Sequence, residues 1–409
     1  MASANSPTAG ASPIDSAYAW TRLAISVVLA TIGGVGMWAV VVVLPQVQAE
    51  FGVDRANASL PYTATMVGFA AGNVIVGRAI DRFGYWLPAL VTSLALSAGF
   101  LLAATTTSIV QFSLVQGILI GLGCSAIFGP LIADISHWFD RHRGLAVTGA
   151  AAGNYLAGAF WPSVMPLVMQ GHGWRFTYVA IGIVCLVTMV PLAVMLRRSA
   201  PRADTGRATS RRVQPIALSP AALQALLIVA GLGCCVAMSM PQVHIVAYCM
   251  DLGFGVAHGA DMLAIMLAAG VVSRIGSGFL ADRIGAVKTL FIGSALQCLS
   301  LALYIPFDGL ASLYVVSLVF GLSQGGIVPC YAIIVRDYMP AHEAGQRVGL
   351  VMMATIFGMA IGGWMSGWIY DLTGSYAAAF LNGIAWNLLN LAAIGLLFRQ
   401  TRRPALLTN

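Results

Sequence analysis

Arg274 is the residue least like its surroundings. It lies in Ala268-Ala269-Gly270-Val271-Val272-Ser273-Arg274-Ile275-Gly276-Ser277-Gly278, inside an apolar run long enough to cross a bilayer. An arginine at mid-membrane costs about 2.5–3.5 kcal/mol on insertion scales, and such residues line water-filled cavities or meet a negative partner. The guanidinium presents planar, paired donors that match a carboxylate. Small neighbours leave room for a ligand, or equally for close helix packing. The chemistry expected here is the capture of an organic anion. The structural alternative is an arginine bonded to carbonyls of another helix or to an acidic side chain. Arg274 precedes Asp282 by eight residues, about 12 Å of helix, which puts it within the hydrocarbon rather than at snorkelling depth.

His244 is the second candidate. It follows Pro241, which should kink its helix, and its charge can change near neutral pH. It is read as a proton or substrate contact, against the alternative of a histidine bonded to backbone. His137, His142, His172, His258 and His342 fall in or beside loops and read as solvated. The seven cysteines are odd in number and show no metal-ligand spacing, so they read as small apolar residues. No Gly-rich phosphate loop, nucleophile elbow or metal cluster is present, so no enzyme activity, cofactor or metal is expected.

These residues need a membrane scaffold. The chain has 409 residues, 59% hydrophobic and 9% charged, with a mean hydropathy of +0.86; a soluble domain carries about 25% charged residues. The net charge of +7 would suit nucleic acid only on a basic face of a soluble module, and here the basic residues fall between apolar runs. Twelve runs are read, at 21–44, 59–80, 86–105, 110–133, 145–169, 175–196, 220–247, 260–281, 287–305, 310–335, 347–369 and 376–398. The organisation expected is a tail at 1–20, a six-helix half at 21–196, a polar central loop at 197–219, a second six-helix half at 220–398 and a tail at 399–409. Of 21 Lys and Arg, all but Arg55, Arg175 and Arg274 fall on one side if the runs alternate. The positive-inside rule then makes both termini and the central loop cytoplasmic. A spanning first helix is expected rather than a removed signal peptide, because the N-terminus lacks a basic patch before its apolar run and no cleavage site is evident.

The chain repeats itself. Gly77-Arg78-Ala79-Ile80-Asp81-Arg82-Phe83-Gly84 follows the second run, and Gly278-Phe279-Leu280-Ala281-Asp282-Arg283-Ile284-Gly285 follows the eighth, half a chain later. Both read G-x-x-x-D-R-x-G. With Trp138-Phe139, Arg143-Gly144-Leu145-Ala146, Gly173-Trp174-Arg175 and Gly374-Ser375-Tyr376, this pattern resembles the major facilitator superfamily of secondary transporters over residues 20 to 400. The resemblance implies an all-α membrane protein with twelve transmembrane helices in two pseudo-symmetric halves, rocking about a site near the bilayer midplane. It implies a gating role for Gly77, Asp81, Arg82, Gly84, Gly278, Asp282, Arg283 and Gly285, with the two aspartates bracing the cytoplasmic ends while the outside is open. Tyr85-Trp86 departs from the basic pair usual after the first copy, which weakens that locking.

His244-x-x-x-Tyr248-x-x-Asp251-x-Gly253 and Arg274-x-Gly276-x-Gly278 resemble the bacterial monocarboxylate transporter branch and the related oxalate/formate exchangers. That resemblance implies a small monocarboxylate substrate such as lactate, pyruvate or something larger, a proton as co-substrate, a functional monomer and an inner-membrane location. By position in the branch, further contacts would come from Phe128, Asn154, Tyr155 and Tyr331, with Gln324 of the same kind. The eleventh run lacks the second cation of the oxalate exchangers, and one buried arginine would leave a dicarboxylate partly uncompensated. From Ile32 to Pro45 only Trp38 carries a polar side-chain atom, an apolar wall suited to a hydrocarbon body. Animal relatives carry an aspartate where this chain has Gly270, so proton coupling rests on His244 and the resemblance. The competing readings are an anion exchanger of the oxalate/formate type, an efflux pump for another solute, and a membrane sensor without transport. A drug pump would bring a membrane-embedded acid in the first half, and none precedes Asp134; a sensor would bring a soluble module.

Overall fold

The computed structural model describes residues 14–198, 216–340 and 343–407, without the side chains of Asp81, Arg143, Ala344 and 402–407. Most of the expected N-terminal tail and central loop, the end of the C-terminal tail, His342 and the Asp81 side chain therefore lie outside the described residues. Among the described residues there is no strand, and eleven helices are long and apolar enough to cross a membrane. One of these, Gly144–Met195, has 52 residues and is broken at Gly173 (φ 76°, ψ 173°). It is two spans, the fifth and sixth, which restores the twelve read from hydropathy.

In order, the other spans are Ala17–Phe51, Arg55–Ile80, Trp86–Ala103, Ile109–Ser136, Pro220–Asp251, Val256–Ile284, Ala286–Leu303, Leu310–Tyr338, Gly345–Thr373 and Tyr376–Thr401. They are the first to fourth and seventh to twelfth. The end of the bundle that carries both described chain ends is called the terminal end, and the opposite end the far end. The two halves touch through the second span on the eleventh, the fifth on the eighth and the first on the seventh.

The fourth and tenth spans are not the continuous helices that hydropathy implied. The fourth passes through a π-helical turn at Gln116–Gly121 and a 3₁₀ turn at Ser125–Ile127, then restarts at Gly129. The tenth stops at Gln324 and restarts at Ile327. Both breaks lie just before a proline, Pro130 and Pro329, which has no N–H for the carbonyl four residues back. Those carbonyls belong to Ala126 and Gly325. Ala126 O accepts from the Tyr85 hydroxyl at 3.2 Å, and Gly325 O accepts from Arg274 Nε at 3.2 Å. The same backbone vacancy is thus filled in each half by a side chain from elsewhere.

Close crossings fix the depth of these broken spans. A Cβ at Gly121 would collide with the Thr65 carbonyl, and one at Gly325 with the Gly270 carbonyl. Each glycine lets two backbones meet without side chains between them. In both loop motifs the final glycine has positive φ, 72° at Gly84 and 89° at Gly285, where a side chain would be strained.

Charge is also buried at the ends of spans. Arg22, read as a positive residue on the cytoplasmic side at the start of the first run, is only 1% exposed. Its Nη2 lies 2.9 Å from Asp134 Oδ2, its Nη1 donates to the Leu196 and Arg198 carbonyls, and it stands over the Trp138 ring at 4.7 Å. Asp134 is therefore committed to locking the terminal end of the first half. At the far end, Arg175 binds Glu50 and the Ala104 and Thr106 carbonyls, while Trp174 Nε1 donates to Glu50 at 2.5 Å.

Candidate functional site

A cavity of about 120 Å³ lies between the halves, midway along the spans that line it. The first, second, fourth, fifth, seventh, eighth, tenth and eleventh spans all contribute. Arg274, Tyr155, Asn154, Phe128 and Trp38 line it together, so five of the seven residues singled out as binding candidates meet in one place.

The wall has two characters. One side is polar. Arg274 donates from Nε to Gly325 O and from Nη1 to Ala151 O, both at 3.2 Å. Its guanidinium carbon sits 4.4 Å from the centre of the Tyr155 ring, a cation–π contact that holds the fork without neutralising it. Trp38 Nε1 donates to the Asn154 backbone carbonyl at 3.2 Å, and the Asn154 side-chain oxygen is buried with no partner among the described residues. Gln242 completes this side. The other side is apolar and rich in thioethers and rings: Met66, Phe69, Phe128, Met352, Ile356 and Met359. Thioethers adapt to irregular shapes.

No carboxylate lies within 4.0 Å of the Arg274 guanidinium among the described residues. The contrast with the other buried arginines is sharp: Arg22 and Arg55 each have an aspartate at 2.9 Å. Gly270 stands where an aspartate was noted in animal relatives, and a Cβ there would collide with the Tyr155 ring. The ring that stacks on Arg274 occupies the space an acid would need.

Two residues expected at the site are placed elsewhere. His244 is fully buried, with Nε2 2.7 Å from Gly363 O and Nδ1 unpartnered, and it does not line the cavity. It ties the seventh span to the eleventh. Tyr331 is also fully buried and donates to Asn390 Oδ1 at 3.0 Å. Asn390 in turn binds Ser294 and Asn387, so Tyr331 belongs to a polar lock joining the ninth, tenth and twelfth spans. Gln324 does not line the cavity either, but it accepts from Gln242 Nε2 at 2.6 Å.

The cavity extends toward the terminal end. A space of about 520 Å³ shares Phe128, Met352 and Ile356 with it and is bordered by Asn73, Val74, Gln346 and Gly349. Another of about 190 Å³ shares Arg274 and runs between the fifth, eighth and tenth spans. The loop-motif residues at that end are free: Asp282, Arg82 and Arg283 are exposed, Asp282 has no ion pair among the described residues, and nothing packs against Gly77 or Gly278.

The far end is shut, by residues that the sequence reading left as loop charge. Arg55 opens the second span. Asp371, from the eleventh, accepts the backbone N–H of Arg55 at 2.9 Å and of Ala56 at 2.7 Å, capping a helix of the other half where its N-terminal dipole favours an anion. Arg55 Nη2 pairs with Asp251, and its guanidinium carbon lies 5.1 and 5.9 Å from the Tyr370 and Tyr376 rings. The sequence signal available was Asp251, already visible in the pattern shared with the monocarboxylate branch.

Twelve spans in two halves around a central cavity define a solute carrier rather than an enzyme. The Major Facilitator Superfamily model matches residues 26–310 and 259–409, and the chain belongs to that superfamily. It is 27% identical to monocarboxylate transporter 13 of Bos taurus over 380 residues, 85% of this chain and 86% of that protein. It is also 27% identical to the MFS-type transporter pynF of Aspergillus niger over 283 residues, 69% of this chain but less than two thirds, 64%, of that one. Among solved structures, the inward-facing, occupied form of a bacterial homologue of the human lysosomal transporter Spinster superposes with a TM-score of 0.74 at 13% identity, covering 94% of this chain and 97% of that one. The nucleoside transporter NupG gives 0.75 at 13% identity, covering 93% of this chain and 100% of that one. These two establish the fold.

Proposed function

We propose that the protein is a secondary transporter of an organic monocarboxylate, with Arg274 as the anchor for the carboxylate and the thioether and aromatic wall as the seat of its hydrocarbon body. The observation that carries this reading is the half-buried guanidinium with no acidic partner among the described residues, facing a cavity that is otherwise mostly apolar. A single negative charge neutralises it; a second would stand uncompensated in a low-dielectric site. The names of relatives such as monocarboxylate transporter 13 support the same class.

The mechanism that fits is alternating access, with the two halves rocking about the cavity. In the form described here the far end is closed by Arg55 and the terminal end is open. With both termini cytoplasmic in an inner membrane, this is an inward-facing state, and Asp81 and Asp282 would engage their braces only after reversal. Proton cotransport belongs to the proposal through the resemblance to monocarboxylate transporters, with His244 acting through the seventh and eleventh spans rather than by touching the solute.

The test is uptake of a labelled panel of short and aryl monocarboxylates into proteoliposomes holding the purified protein as a monomer, with and without an imposed pH gradient. Uptake that depends on Arg274 and follows the proton gradient is expected. Uptake unaffected by Arg274→Ala removes the anchor.

A further inference from the structure

Among the polar side chains around the chamber, Gln242 is the one tied to a second buried amide. Gln242 lies on the seventh span just after Pro241, is 2% exposed and lines the cavity. Its Nε2 donates to Gln324 Oε1 at 2.6 Å. Gln324 is itself fully buried, and its own Nε2 has no partner among the described residues. A buried amide group left unbonded is costly, so a leucine pair would pack here more favourably unless the amides serve something else.

Their position says what. Gln324 precedes Gly325, whose carbonyl accepts from Arg274 Nε. Consecutive Cα atoms are about 3.8 Å apart, so Gln242 from the seventh span and Arg274 from the eighth are bonded to neighbouring residues of the broken backbone in the tenth. Gln242 and Arg274 line the cavity with Met66, Phe69 and Met352, and behind the wall they are linked through Gln324 and the Gly325 carbonyl. With one N–H spent on Gln324, Gln242 still has its carbonyl oxygen and a second N–H to offer. No protein partner for that oxygen is present among the described residues.

The geometry points to Gln242 as a specificity-determining contact for a hydrogen-bonding substituent, a hydroxyl above all, carried on the acid's skeleton near the carboxylate. Gln324 is the positioning residue that orients it. A hydroxyl both donates and accepts, so it satisfies the amide whichever way its oxygen and nitrogen point. This rests on the reading of Arg274 as carboxylate anchor. It narrows the solute to a hydroxy-substituted monocarboxylate with a sizeable apolar body, in preference to the plain acid of the same skeleton.

The experiment compares two labelled acids differing by one hydroxyl, 3-phenyllactate and 3-phenylpropanoate, in proteoliposomes bearing the full chain, its Gln242→Met and Gln324→Met forms, and Arg274→Ala. A site built to bond a hydroxyl rejects the analogue lacking it strongly. The wild type is therefore expected to favour phenyllactate on the order of tenfold or more in kcat/KM. Gln242→Met should bring the ratio near unity while phenylpropanoate uptake persists, which also shows that the variant folds. Gln324→Met should lower the ratio partway, and it carries the test should Gln242→Met not reach the membrane. A wild type without preference, or a preference unchanged in both variants, overturns the role of Gln242 alone. Uptake of both acids that survives Arg274→Ala overturns the carboxylate anchor, and a wild type that takes up neither acid overturns both.

Discussion

Arg55 Nη2 lies 2.9 Å from Asp251 Oδ2, and this contact joins the two halves at the far end. The arginine side chain is 7% exposed and the aspartate 34%, so the pair is shielded on one side and wet on the other. The Tyr376 hydroxyl donates to the same Asp251 oxygen at 3.1 Å, and Asp371 holds the Arg55 and Ala56 amides. A carrier that opens alternately must part the contacts of Arg55 and Ala56 with Asp251 and Asp371, which cross between the halves, while the Tyr376–Asp251 bond lies within the second half. The cluster would thus act as a latch on the closed end, held by the Arg55–Asp251 pair and the Asp371 cap, and easily reversed because Asp251 is partly hydrated and Arg55 Nε and Nη1 have no hydrogen-bond partner among the described residues.

Loosening that latch should favour the form open at the far end. Arg55→Ala leaves Asp251 unpaired and removes the ring stack, and Asp371→Asn weakens the helix cap. Either should speed alkylation of the cavity-lining Cys235 by an impermeant maleimide added on the far side, by on the order of tenfold, as expected for roughly 1.4 kcal/mol. An unchanged labelling rate would show that the latch does not set the conformational balance.

Arg274 should tolerate no substitute. If Arg274 anchors the carboxylate as proposed, Arg274→Ala removes paired, charge-assisted bonds worth about 1.5–3 kcal/mol each, so uptake should fall about a hundredfold or more. Arg274→Lys keeps the charge but not the fork, and a loss of about tenfold or more is expected. Initial rates of uptake, normalised to protein reaching the membrane, decide both.

Gly270 should matter through Tyr155. A methyl group at position 270 would collide with the Tyr155 ring and push it off Arg274. The cation–π contact is worth about 0.5–2 kcal/mol, so Gly270→Ala should raise KM several-fold. In the background of Tyr155→Ala the same change should cost little more, because the contact is already lost. Additive losses in the double variant would show that Gly270 acts by another route.

The Arg22–Asp134 pair makes a stability prediction rather than a transport one. Breaking a buried pair by removing one partner costs about 3–5 kcal/mol, whereas replacing both by apolar residues is often close to neutral. Arg22→Met or Asp134→Leu alone should lower the thermal unfolding midpoint in detergent clearly, and the double variant should recover most of the loss. A double variant less stable than either single one would contradict this account.

Hydropathy alone found the twelve spans, because crossing a bilayer is a requirement that each segment of about 20 residues meets by its own composition. The sixth span needed no tertiary information either, since Gly173 already stood where the chain turns. The two loop motifs exposed the duplication, and Arg274 declared itself because one charge in a long apolar run has no local excuse. The sequence did not show that Arg22 and Arg55 are buried too. Both lie at the ends of apolar runs, where a charge looks solvated. Their aspartates are 112 and 196 residues away, and only the packing of spans brings them within reach. Folding likewise placed Gln242 on the cavity and set His244 and Tyr331 behind it. Transfer free energy is a property of a segment, legible along the chain. The satisfaction of a buried polar group is a property of a pair, and it was the tertiary structure that matched Arg22 and Arg55 to acids and set Arg274 on the central cavity with no acid beside it among the described residues.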